Sequence, residues 1–188
     1  IVLTNKLQNP KFVLDIIKED PDEKTKALNG VEFKLEKLVK NAGETQWEVN
    51  TSYKFDDTHT GSITAITGED GKITGVFKDL KPGRYRLTET KAHPGYNLLS
   101  KPIDITFEDG KCYIDDVEVP ENDGSFTPTP GTNNTYTMTL TVLNRKTPEL
   151  PHTGADAPSL WLLIGLPLAV AGLLIFTFRY NRKGGRRH

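Results

Sequence analysis

Cysteine is nearly missing from this sequence. Cys112 is the only one in 188 residues, so no disulfide can form within the chain; cytosolic proteins often look like this, and so do exported proteins stabilised in some other way. Cys112 has no His or Asn pattern around it and reads as a small, half-buried side chain of a β-rich stretch. A basic excess is missing too, except at one end. Of 24 Lys and Arg, five stand in the last ten residues, "RYNRKGGRRH" (Arg179, Arg182, Lys183, Arg186, Arg187), and the other 19 face 25 Asp and Glu. An acidic body leaves no footprint for nucleic acid. There is no glycine-rich phosphate loop, zinc spacing or Ser/His/Asp set, so no cofactor is expected. No metal is expected either, because "FDDTHT" (Asp56, Asp57, His59) lacks EF-hand spacing and reads as a solvated loop. Asp115, Asp116 and Glu118 read as a polar strand edge. Trp47, Tyr53 and Phe55 read as core packing in preference to a ligand patch.

A long apolar run is present, at the C-terminus. Residues 160–178, "LWLLIGLPLAVAGLLIFTF", are 19 residues without a charge. As a helix they would span roughly 28 Å, close to a bilayer's hydrocarbon core. The basic tail that follows places that end in the cytoplasm by the positive-inside rule, and Pro167 is tolerable in a membrane helix. Just ahead stands "LPHTG", Leu150, Pro151, His152, Thr153 and Gly154. Pro148 and Pro151 keep this segment extended and remove backbone donors, which suits insertion into a groove. Pentapeptide, apolar span and basic tail, in that order, resemble the LPXTG sorting signals of Gram-positive surface proteins. The resemblance implies that a sortase cysteine attacks the Thr153 carbonyl and cleaves the Thr153–Gly154 bond. An amine of a peptidoglycan precursor or of a neighbouring pilin lysine would then resolve the acyl-enzyme. The membrane would be met only transiently, through 160–178. The sequence starts at Ile1 with no signal peptide, so with such an anchor it is expected to be the end of a longer exported chain.

From residue 9 to about 147 the signals are β and turn. "FVLDIIK" alternates Phe12, Leu14 and Ile16; "VEFKLEKL" alternates Val31, Phe33 and Leu35; "YTMTLTVLN" alternates Tyr136, Met138, Leu140 and Val142. Asp70-Gly71 and Asp109-Gly110 mark tight turns, and "KPG" at 81–83 another. No convincing helical period occurs in this body, although "FKLEKLVKNAG" could run helical for two turns. Seven or more short strands predict an all-β sandwich. Two polar inserts interrupt it, residues 40–62 and "PENDGSFTPTPGTNN" (120–134), the second expected to be a surface loop. "IVLTNK" leads to Asn5 as "TVLNRK" leads to Asn144, so residues 1–8 read as the end of a preceding similar domain plus linker. The alternative is that they open this domain.

Three apolar stripes end in a polar residue on the same face. Lys18 follows Ile16, Glu89 follows Tyr85 and Leu87, and Asn144 follows Val142. Alternation by two aims all three at one core, and buried unpaired charges cost several kcal/mol, so such groups should meet. Each could instead reach solvent from a strand end, but three coincidences of these types weigh against that. A neutral Lys amine can attack an Asn carboxamide, expel ammonia and leave an isopeptide bond. Desolvation favours the neutral amine, and a protonated carboxylic acid could polarise the amide and relay protons.

"YRLTETKAHPGY" (Tyr85–Tyr96) resembles the E-box of Gram-positive pilins, Y-x-L-x-E-T-x-A-P-x-G-Y, with His93 in the proline slot and Pro94 one place late. "LDIIKED…LNGVEFKLEKL" and "GKITGVFKDLKPGRYRLTET" are similar to the collagen-adhesin B-type (Cna B-type, SpaA-like) domain. That resemblance implies an Ig-like, prealbumin-like β-sandwich with an isopeptide between Lys18 and Asn144, catalysed by Glu89. By the same resemblance Asn5 would serve a preceding domain. The expected organisation is a sandwich at 9–147, a sortase segment at 148–154, and a membrane span with basic tail at 155–188. The expected protein is a wall-anchored, extracellular pilus subunit that is not a turnover enzyme. The stalk of a multidomain adhesin with a host-surface ligand is the alternative.

Overall fold

A computed structural model describes residues 10–23, 26–120, 123–129 and 134–148. Asn5, Leu150, Pro151, Thr153, Gly154 and the apolar run 160–178 lie outside the described residues.

The alternation seen in the sequence becomes two layers. Along β1 (Lys11–Glu19) Phe12, Leu14, Ile16 and Lys18 are buried in strict alternation. In β2 (Glu32–Val39) the rhythm holds for Phe33 and Leu35, then slips so that Leu38 is the next buried residue. This stretch is a strand, not the two helical turns its "FKLEKLVKNAG" allowed. Short β3 (Glu48–Val49) and β4 (Ser62–Ile66) follow, then β5 (Lys72–Leu80) and β6 (Gly83–Lys91). β7 (Ile103–Glu108), β8 (Lys111–Ile114) and β9 (Val117–Glu118) form a meander, and β10 (Phe126–Pro128) and β11 (Thr135–Leu143) complete the described strands. Among the described residues there is no helix.

One sheet has the order β10-β11-β1-β5, and the other runs β3-β2-β6-β7-β8-β9 with β4 also on β2. β1 and β11 are parallel neighbours, Lys18 lying opposite Val142; the other pairs named by the sheets are antiparallel. The layers meet face to face, with the rings of Phe12 on β1 and Phe107 on β7 stacked 4.5 Å apart. The expected β-sandwich is therefore present.

Two local features depart from the sequence pattern. β5 buries Ile73, Phe77 and Leu80, an irregular spacing, because its register against β1 shifts twice. Gly75 and Asp79 take positive φ there (66° and 55°), as bulged strands require. The second insert was expected to be a surface loop, yet it contributes β10, whose Phe126 is buried against Phe12 and Tyr136. A single phenylalanine supplies enough apolar area to pull a polar loop onto the sheet.

Candidate functional site

Parallel pairing of β1 with β11 puts the ends of both strands at the same end of the sandwich. β6 delivers a third residue to that end from the opposite sheet. Lys18 is fully buried, Asn144 is 2% exposed and Glu89 is 6% exposed. The Asn144 amide Nδ2 donates to Glu89 Oε1 at 2.6 Å, and the other oxygen, Oε2, accepts the Leu99 N–H at 3.0 Å. Lys18 Nζ donates to the carbonyl of Val142, two residues before Asn144, at 3.2 Å. Burial pulls the Lys18 pKa down from 10.5 to about 8, against the opposing attraction of Glu89. Asn144 Oδ1 is buried and has no hydrogen-bond partner among the described residues. The three polar residues that sequence parity aimed at one core do converge.

Sequence reasoning missed two further residues here. Asp20 is fully buried. Its Oδ1 accepts the backbone N–H groups of Asp22 (2.8 Å) and Glu23 (3.2 Å), and its Oδ2 accepts the Tyr96 hydroxyl at 2.6 Å. Lys146 Nζ stands 3.7 Å from Oδ2 and also pairs with Glu23. The Tyr96 hydrogen bond is the main cause holding the Asp20 pKa down, at about 2. Asp20 is occluded but close to the surface, since Lys146, part of its cover, is itself half exposed. Asp20 extends the parity of Phe12, Leu14, Ile16 and Lys18 by one more step, which was the available signal. Tyr96 closes the E-box-like segment but has no strand parity to betray its partner.

The loop after β6 ties the site together. Asn97 N–H donates to the Arg145 carbonyl at 3.0 Å and Thr147 N–H to the Gly95 carbonyl at 2.8 Å. His93, in the slot where the resembled motif has proline, has Nδ1 2.8 Å from the Asn29 carbonyl and its ring edge-on to Tyr96. The turn at Pro94-Gly95 forms with Gly95 at φ 83°.

Elsewhere the polar groups serve structure. At the far end of the sandwich, the Lys37 amine sits 4.0 Å from the centre of the Tyr85 ring and donates to the Pro82 carbonyl at 2.8 Å; burial lowers its pKa to about 8. Tyr53 and Phe55 pack against the core, whereas Trp47 is 41% exposed and lies under the Arg84 guanidinium, so only part of that aromatic trio is core. Trp47, Arg84 and Asp116 line an open groove of about 360 Å³, but Arg84 is already paired with Asp104 and Asp116. Asp56 accepts the N–H of Thr58 and of His59 in a local turn. Cys112 is fully buried, not half-buried, and burial raises its thiol to about 12, which leaves it inert.

No curated protein matches this chain. Among solved structures, the chain is similar to the group B streptococcus pilus 2b backbone protein, at 29% identity over 77% of this chain and 43% of that one, with a TM-score of 0.43. It is also similar to the pilus adhesin RrgA of Streptococcus pneumoniae, at 25% identity over 76% of this chain and 16% of that one, TM-score 0.46. The major pilin subunit BcpA of Bacillus cereus is 22% identical over 73% of this chain and 31% of that one, TM-score 0.39. The chain thus spans less than half the length of each of these proteins. Residues 13–119, which include Lys18 and Glu89 but stop short of Asn144, match the family described as SpaA, prealbumin-like fold domain. With that match covering more than half of its length and the two-layered β architecture in agreement, the chain belongs to the SpaA prealbumin-like fold domain family.

Proposed function

We propose that this chain is a structural subunit of a Gram-positive surface pilus, joined covalently by sortase at Thr153 and stabilised by a self-formed isopeptide between Lys18 and Asn144. The observation that carries this reading is the buried contact of Glu89 Oε1 with the Asn144 carboxamide at 2.6 Å, beside a lysine with a depressed pKa.

That contact is short for N–H···O, whose usual range begins near about 2.7 Å, but ordinary for O–H···O. Turning the carboxamide over exchanges Oδ1 and Nδ2 with the heavy-atom positions kept. A proton on Oε1 then donates to Oδ1, and the amide Nδ2, the leaving group, takes the buried position that Oδ1 had occupied. Oε2 keeps its hydrogen bond from Leu99, so the acid presents one donor and one acceptor, as a neutral carboxyl should.

The reaction follows from this arrangement. The neutral Lys18 amine attacks Cγ of Asn144, and charge developing on Oδ1 is met by the Glu89 proton. A proton leaves Nζ for the carboxyl and another reaches Nδ2, the Cγ–Nδ2 bond breaks, and ammonia departs. An amide between Nζ and Cγ remains, and Glu89 ends as it began. The bond forms once per chain, so the protein is not a turnover enzyme. Burial in apolar surroundings keeps water from competing for the carbonyl.

Anchoring rests on the sequence "LPHTG" followed by the apolar span and basic tail. In this reading the precursor is held in the membrane by 160–178, and the product is extracellular and attached to the wall or to the next subunit.

The test is intact mass. The full chain should lack the mass of one ammonia, and Lys18→Ala, Glu89→Ala and Asn144→Ala should each retain it; an unshifted wild type removes the isopeptide from the reading. Expressed in a Gram-positive host, the wild type should be recovered from the wall as a covalent ladder, and Thr153→Ala should leave the wall fraction. Equal wall attachment of both would refute the sortase step.

A further inference from the structure

We propose that Asp20 and Tyr96 are a positioning pair for the cross-linking reaction, bracing the strand end that carries Lys18 against the loop that holds Glu89 and the segment after Asn144. This inference rests on the isopeptide reading above and adds two residues to it, neither of which touches the reacting atoms.

Amide formation needs Nζ of Lys18 and Cγ of Asn144 at a near-attack separation, about 3–3.5 Å, and an error of 1 Å can cost about a hundredfold in rate. The three reacting residues arrive on separate segments. Asn144 lies just past the end of β11, where the flanking chain is clamped to the loop by the Asn97–Arg145 and Thr147–Gly95 backbone bonds. Glu89 is tied to the same loop by Leu99. β1 is registered against β11, and the Glu19 carbonyl next to Lys18 accepts the Asn144 N–H at 3.3 Å, but no backbone hydrogen bond joins β1 to the loop after β6 among the described residues. The direct side-chain tie is Asp20, two residues on and on the same face, through the 2.6 Å bond from the Tyr96 hydroxyl, beside an indirect one through the Leu28 N–H on the Lys18 carbonyl and His93 on the Asn29 carbonyl.

The pair is built to be stiff. An O–H donating to a carboxylate is among the stronger hydrogen bonds. Asp20 is immobilised by its own Oδ1, which caps the turn at Asp22 and Glu23. Tyr96 is held by its backbone N–H to the His93 carbonyl at 3.0 Å, by the His93 ring at 5.5 Å, and by Lys26 over its face. The hydrogen bond from Tyr96 lowers the Asp20 pKa to about 2, so the carboxylate is ionised, and hence an acceptor, at neutral pH. Lys146 closes the remaining side, within 3.7 Å of Asp20. A buried carboxylate two positions from a buried lysine otherwise serves no step of the reaction, and its purpose here is to fix the backbone from which Lys18 reaches.

The experiment is time-resolved intact mass of the full chain during cell-free synthesis with detergent micelles, following the loss of one ammonia after a translation stop. Tyr96→Phe, which deletes one oxygen, should slow that loss by about ten- to a hundredfold. Asp20→Ala should slow it similarly. Asp20→Asn, whose carboxamide can still pair with the Tyr96 hydroxyl, should remain within a few-fold of wild type, a rescue that a simple loss of fold would not produce. Rates equal to wild type in Tyr96→Phe and Asp20→Ala overturn the positioning role and leave the isopeptide intact. So does an Asp20→Asn variant as slow as Asp20→Ala. A wild type that never loses ammonia overturns the isopeptide, and the positioning pair with it. Should Tyr96→Phe fail to fold, the contrast between Asp20→Asn and Asp20→Ala still decides.

Discussion

Lys18 and Lys37 are two amines drawn into opposite ends of one sandwich, and both titrate well below an ordinary lysine, at about 8 instead of 10.5. Between those two values the unfolded chain holds a proton that the folded chain has released. Unfolding free energy therefore rises with pH across that window, and below about 8 both states are protonated and the folded one carries a constant penalty. Once Lys18 is acylated it no longer titrates, so its share of the slope belongs to the uncross-linked protein alone. In Asn144→Ala, which cannot cross-link, this rise from pH 7.5 to 10.5 should be present but opposed by Cys112 and Tyr85, whose burial-raised pKa values give a slope of the other sign. In Lys18→Met/Asn144→Ala the Lys18 share, about 2–3 kcal/mol at most, should vanish and the Lys37 share remain. Urea midpoints of the two proteins at both pH values measure this. Identical pH slopes would mean that Lys18 is not the desolvated amine its burial indicates.

At the scale of elements, the turn after β4 fixes the backbone beneath Lys18. Gly71, at φ 71°, accepts the Lys18 N–H on its carbonyl at 2.8 Å, and a Cβ there would lie 2.9 Å from the Lys18 oxygen and 3.0 Å from the Leu28 nitrogen. Gly75 shares the left-handed backbone, at φ 66°, but faces open space. Gly75→Ala should cost only the backbone term, about 1 kcal/mol, whereas Gly71→Ala adds displacement of two backbone segments and should cost about 3 kcal/mol. Equal unfolding midpoints for the two variants would show that the close approach at Gly71 is relieved freely. Strands such as β1, β2, β6 and β11 were legible because each has one buried face, so a period of two is written in its residues. β5 was legible as a strand but not in its details, since bulges at its edge break the period that carries the information. β10 was hidden because Phe126 is a lone apolar residue among turn formers, and only the sheet it lands on gives it meaning. The reacting trio could be read because Lys18, Glu89 and Asn144 each end an apolar stripe. The Tyr96–Asp20 bond could not, because it joins a loop to a strand end 76 residues away and no local pattern encodes that meeting.

For the molecule as a whole, the consequence of the proposed bond is mechanical. β1 and β11 lie side by side and parallel, so tension applied before residue 11 and after residue 144 drives them past each other in shear. Without the bond, their hydrogen bonds and the core between the sheets carry the load, and the sandwich unravels when they fail. With it, force entering β1 passes at Lys18 directly to Asn144, and the roughly 125 residues between bear none. The bond would also close a loop of that size, which by analogy with disulfide loops stabilises the fold by about 5 kcal/mol. Glu89→Ala should therefore lower the unfolding temperature sharply while leaving the strands in place, and single-molecule pulling should separate the two forms further. The Glu89→Ala protein should yield a step of roughly 430 Å in contour length, about 3.3–3.6 Å for each released residue. The wild type, held by the same handles, should show no such step up to forces that break the attachment. A wild type that extends by the full step, despite having lost its ammonia, would place the cross-link somewhere other than between these two strands.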